Sequence, residues 1–110
     1  MISEPSMNEL YIYNVTLKVN HTIHHAWLQW MKEEHIPEIL ATGMFTHYRI
    51  LRLKDVDESD GVTYAVQYFC SSLLQYERYL EIYAGPLRKT AALKWGNDVV
   101  SFRTLMEVIN

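Results

Sequence analysis

A chain of 110 residues with one cysteine fits a single domain, large enough to bury a core without disulfides or metal. Hydrophobic residues make up 49% and aromatics 13%, which excludes global disorder, and no apolar run approaches the roughly 20 residues a membrane helix needs. A formal net charge of −3, with ten scattered Lys and Arg, leaves no basic footprint for nucleic acid.

Residues 1–9 (MISEPSMNE) carry neither the basic region nor the apolar core of a secretory signal. They read as a short disordered lead, with Met7 an alternative start, before one domain over residues 10–110. With no paired thiols, the expected setting is the cytoplasm. Tyr11–Val19 (YIYNVTLKV) is rich in the β-branched and aromatic residues that suit a strand. Asn20 can cap a helix from about His21, which sets Ile23, Trp27, Trp30 and Met31 on one face and Gln29, Lys32 and Glu33 on the other. Pro37 predicts a stop or bend near His35, a short second piece over Glu38–Thr42, and termination at Gly43.

Phe45–Leu53 and Val62–Cys70 read as a hairpin around a charged tip, Lys54–Gly61. Ser72-Leu73-Leu74-Gln75 has the form of a capping box. The following helix lines up Leu73, Tyr76, Tyr79, Leu80, Tyr83 and Leu87, with Gly85-Pro86 predicting a kink or interruption. A second piece, Leu87–Trp95, ends at Gly96, and Val99–Val108 closes the chain as a strand. The order β-α-β-β-α-β predicts an α+β, ferredoxin-like fold: an antiparallel four-stranded sheet with both helices on one face. Two helices cover only one face, yet neither face of Val62–Cys70 is clearly polar. The uncovered face is therefore expected to meet its own copy, giving a homodimer whose two sheets form a barrel.

The strand Tyr11–Val19 and the segments WLQWMKEEHIPEILATG, GVTYAVQYF, YERYLEIYAGPLR and SFRTLMEVI resemble a small bacterial family of uncharacterised domains. The resemblance runs from Tyr11 to Ile109. That family is similar to the dimeric α/β-barrel, antibiotic-biosynthesis-monooxygenase-like proteins, among them quinone-forming monooxygenases, haem-degrading enzymes and proteins of unknown role. It implies a small-molecule site between sheet and helices, with the other sheet faces packed across the dimer. On that basis Tyr11, Tyr13, Tyr64 and Tyr68 are expected at the interface. Asn14, Thr16, Ala65, Gln67 and Phe69 are expected under the helices, although the pattern alone also allows the reverse.

The candidate ligand-binding residues are then Asn14, Trp30, His35, Gln67 and Phe69. The amides of Asn14 and Gln67 would orient a planar ligand beneath Trp30, or else satisfy partners within a polar patch of the core. His35, beside Glu33 and Glu34 at an expected helix end, is read as favouring its charged form; it would act as acid or base, or bond the last carbonyls. His21 and His25 share a helical face at metal-ligand spacing, but no matching carboxylate or cysteine follows, so no metal is expected. Cys70 reads as a small buried apolar group. The haem-degrading enzymes match at Asn14 but place a tryptophan where Phe69 stands, and no histidine occurs from Ser71 to Trp95, which disfavours haem. The expectation is a cofactor-free homodimer binding a small aromatic molecule, with no membrane or nucleic-acid partner. The alternative is a cofactor-independent monooxygenase or isomerase for an aromatic or polyketide-like substrate. The acidic tip, Asp55–Asp60, is read as a solvated turn rather than an interaction site.

Overall fold

Tyr11–Val19, in which six of nine residues are β-branched or aromatic, forms β1, the hub of a four-stranded antiparallel sheet. The computed structural model describes residues 9–110, so the expected N-terminal lead lies, apart from Glu9, outside the described residues. The other strands are β2 (His47–Arg52), β3 (Val62–Cys70) and β4 (Val99–Glu107), in the spatial order β2-β3-β1-β4. This is the ferredoxin-like arrangement that the element order implies. β2 is shorter than the expected Phe45–Leu53 because Phe45 turns into the core before the strand begins.

The first helix starts later than expected. Asn20 Oδ1 accepts from the Thr22 amide at 2.9 Å and the Asn20 carbonyl accepts from Ile23, closing a turn before α1 (His24–Trp30). Near His35, where Pro37 predicts a stop or bend, the helical hydrogen bonding changes instead of ending. A wide π turn over Met31–His35 carries the chain into α2 (Ile36–Ala41), with His35 and Ile36 in helical geometry. The second helix behaves alike: α3 (Leu73–Arg78) runs through a π turn, Tyr79–Ala84, into α4 (Gly85–Trp95). Pro37 and Pro86 each follow a π turn, whose wider ring accommodates the amide that proline lacks.

The wider turns also change which residues share a face. Positions five apart point about 140° away from each other on an α-helix. Across the π turns, Met31 and Ile36 are both buried, as are Tyr79 and Ala84. Ser72 caps α3 as expected, accepting from the Gln75 amide at 3.2 Å, whereas the Gln75 side chain bonds Ser71 rather than Ser72. Of the predicted apolar stripe, Tyr76, Tyr79, Tyr83 and Leu87 pack on the core, but Leu73 and Leu80 are exposed. Among the described residues no helix is long and apolar enough to cross a membrane.

The helices lie on the tyrosine-rich face, the reverse of the assignment expected from the resemblance. Tyr13 packs against Tyr76 and Tyr79 of the second helix, with ring centroids 5.6 and 5.7 Å away, and Tyr64 packs against Trp27 at 5.2 Å. Val62, Tyr64, Val66, Tyr68 and Cys70 are all buried there. The reason is apolar area. This set offers β3's unbroken run of large side chains to the helices, while Thr63, Ala65, Gln67 and Phe69 offer a smaller, more polar one. The bare face, read from the strand register, carries Leu51, Ala65, Phe69, Ile12, Phe102 and Met106 around a polar row, Arg49-Gln67-Asn14-Thr104.

Candidate functional site

Between the helix-facing side of the sheet and the helices lies a cavity of about 290 Å³. Its floor is Tyr13, Val15 and Leu17 of β1 with Val66 and Tyr68 of β3, and its aromatic wall is Trp27, Trp30 and Trp95. The space exists because α4 presents small residues to it. Arg88, Ala91, Ala92 and Trp95, at three- and four-residue spacing, all line the cavity, and the two alanines leave open the volume between the larger pair. Gly96 ends α4 at φ +54°, a conformation that favours glycine, and turns the chain through Gly96–Asp98 into β4.

The polar groups in this chamber are few and convergent. Arg88 Nη2 on α4 and Arg103 Nε on β4 both donate to the phenolic oxygen of Tyr13, each at 3.0 Å. Among the described residues no aspartate or glutamate lines the cavity and neither guanidinium forms an ion pair. Among the described residues, three buried side-chain atoms lack any hydrogen-bond partner: His35 Nδ1, Arg88 Nε and Trp95 Nε1. All three belong to residues lining this one cavity. A buried polar atom without a partner costs about 1–3 kcal/mol, so the packing around this cavity leaves polar groups unsatisfied.

His35 and Trp30 stand five residues apart, yet their rings stack at 4.5 Å and 18°, a pairing the π turn makes possible. Burial lowers the His35 pKa from 6.5 to about 4, so the ring is neutral at pH 7. This corrects the expectation of a charged imidazole. The helix does not end at His35, so it has no terminal carbonyls to bond there, and desolvation outweighs Glu33 and Glu34, which are solvent-exposed.

Of the expected site residues, the cavity brings together Trp30 and His35 alone. Asn14, Gln67 and Phe69 sit on the opposite face of the sheet. Asn14 and Gln67 are directly paired across β1 and β3, the Asn14 amide donates to Thr16 Oγ1 at 3.0 Å, and Phe69 stacks on His47 at 4.2 Å. They do not converge with Trp30, because a one-residue difference along a strand separates opposite faces. Nor do Trp27, Trp30 and Phe69 fill the chamber: the two tryptophans wall it and Phe69 lies outside it. Sequence reasoning missed Tyr13, Arg88, Trp95 and Arg103. The available signals were the spacing from Arg88 to Trp95 and the alternation Val99, Ser101, Arg103, which shares a face with Val19, Leu17 and Val15.

Elsewhere the His24 and His25 rings lie 4.9 Å apart at the start of α1. His21 bonds the Glu58 carbonyl, and His24 contacts the Tyr64 hydroxyl and stacks on its ring at 5.6 Å. Among the described residues no group of three His, Cys, Asp or Glu side chains is placed to hold a metal ion. Cys70 is fully buried and its thiol is pushed up by burial, which makes it a poor nucleophile. The hairpin tip is exposed and tied by an Arg52–Glu58 ion pair at 2.8 Å.

The model of a family described as "Domain of unknown function (DUF4286)" matches residues 10–109. No curated protein matches the sequence. Among solved structures, the chain is similar to a dimeric ferredoxin-like protein from an uncultured marine organism, with a TM-score of 0.67 and 12% identity, covering 93% of this chain and 97% of that one. It is also similar to an EthD-like protein from Ralstonia eutropha JMP134, with a TM-score of 0.56 and 14% identity, covering 92% of this chain and 95% of that one. At such identities the likeness establishes the fold.

Proposed function

This chain belongs to the DUF4286 family of domains of unknown function, and we propose that it is a homodimeric module that binds a small aromatic molecule between its sheet and its helices. The observation that carries this reading is one aromatic cavity at whose edge two guanidiniums converge on Tyr13, with three lining residues that hold unpartnered buried polar atoms. A packed structural domain would fill such a space with apolar side chains and leave few polar atoms orphaned. The volume suits one or two rings, since a cavity of about 150 Å³ accommodates benzene.

Self-association follows from the other side of the sheet. Phe102 and Val100 are 63% and 66% exposed on the bare face, and a neighbour of the same fold is described as dimeric. The same reading puts the dimer in the cytoplasm, where a lone thiol such as Cys70 stays reduced. A thermal-shift screen of phenols, quinones and aromatic acids tests the binding, because a ligand that binds only the native state raises its melting point. A melting point that none of them moves would refute it. Sedimentation should give twice the 13.0 kDa chain mass at micromolar concentration, and a single-chain mass would refute the dimer.

A second reading is favoured by His35 itself: cofactor-independent oxygenation or isomerisation of an aromatic or polyketide-like substrate. Its neutral imidazole belongs to the cavity lining, where it can hydrogen-bond a bound molecule and orient it for reaction. Turnover or oxygen uptake with a bound phenol, abolished in His35→Gln with binding retained, would distinguish the enzyme from the binding module.

A further inference from the structure

We infer that the cavity is built for the carboxylate of a one- or two-ring aromatic acid, anchored by Arg88, Arg103 and Tyr13 with its ring against Trp30 and Trp95. This rests on the binding reading above and names the ligand's chemistry.

Two guanidiniums from different elements converge on one oxygen. Each donor nitrogen stands 3.0 Å from Tyr13 Oη, so the two are no more than about 6.0 Å apart (3.0 and 3.0 Å end to end). Like charges at that separation repel, and no carboxylate on the cavity wall offsets them. An anion entering between them reverses the sign of the interaction. The donors also match a carboxylate in number. Each guanidinium spends only one nitrogen on Tyr13, and Tyr13 Oη, already accepting twice, has its own hydrogen left to donate. A planar guanidinium fork fits two carboxylate oxygens.

The remaining walls choose the body of the ligand. Trp30 and Trp95 meet edge to face at 5.7 Å, and the floor beneath them is Val15, Leu17 and Val66. These surfaces receive a flat apolar ring. Arg103 is exposed on edge strand β4, so the charged end of the cavity is also its mouth.

The experiment is calorimetric titration of the intact protein with benzoate, phenylacetate and 1-naphthoate, each against its neutral carboxamide. At least one acid should bind about tenfold or more tightly than its amide. Arg103→Gln, on the exposed edge strand, should erase that preference, and Arg88→Gln should do the same; melting curves verify that each variant is folded. Acids and amides binding equally would overturn the anion assignment while leaving the cavity reading intact. An acid preference that survives both substitutions would overturn the choice of residues. Failure of every acid and amide to bind would overturn the cavity reading and this inference with it.

Discussion

Acid should destabilise this protein through His35, and the size of the effect can be worked from its surroundings. The ring is stacked on Trp30, and its Nδ1 is enclosed without a partner. Adding a proton there places a charge out of water where no acceptor waits. Burial therefore holds the folded-state pKa at about 4, against 6.5 for the free side chain. Between those values the unfolded chain binds a proton that the folded chain refuses. Stability is thus intact above about pH 6.5, falls as the pH drops through the window, and has lost the full amount below about pH 4. At 1.36 kcal/mol per pH unit, the loss comes to about 3 kcal/mol. That is a large fraction of the roughly 5–15 kcal/mol by which domains are stable. Urea denaturation from about pH 7.5 to about pH 4, at fixed protein concentration, would compare the native protein with His35→Gln. Titration of carboxylates and of the other histidines is common to both and cancels in the difference. The native protein should lose about 3 kcal/mol more than the variant across the interval. Parallel pH curves would refute the burial argument.

Other perturbations follow from the same geometry. Ala91→Leu should fill part of the cavity, abolishing calorimetric binding of 1-naphthoate while leaving the melting point unchanged or higher; retained binding would place the ligand elsewhere. Phe102→Glu sets a charge on the bare sheet face and should weaken self-association by more than about tenfold, and a sedimentation profile like the native one would argue against that interface. Gly61 has φ +154°, and a Cβ there would stand 2.5 Å from the Val19 carbonyl oxygen. Gly61→Ala should therefore cost about 1–3 kcal/mol in urea melts, and an unshifted midpoint would contradict the close approach. Ser72→Ala removes the cap of α3 and should cost about 1 kcal/mol by the same assay.

Period and punctuation made most of the architecture readable from residues alone. The strand content of Tyr11–Val19 and Val62–Cys70 announced β1 and β3 at their observed bounds, and Ser72 announced the start of α3. These signals are local: a β-branched run, a hydroxyl before an apolar stripe, and glycine where a helix ends. Pro37 and Pro86 were read by the same local logic as a stop or bend and a kink or interruption; the α-helix gives way to a π turn ahead of each, and the chain stays helical through it. That turn brought His35 onto Trp30, a contact that α-helical spacing forbids.

The sequence by itself therefore determined the element order, the antiparallel ferredoxin-like sheet, and two candidate residues, Trp30 and His35, that line the cavity. Alternation along a strand sorts side chains into two sets without saying which set the helices cover, so only tertiary packing put Tyr13, Tyr64 and Tyr68 inside and Asn14, Gln67 and Phe69 outside. Arg88 and Arg103 meet over Tyr13 from 75 and 90 positions away along the chain. No periodicity encodes a meeting of that kind, since it exists only once α4 lies across β1 and β4.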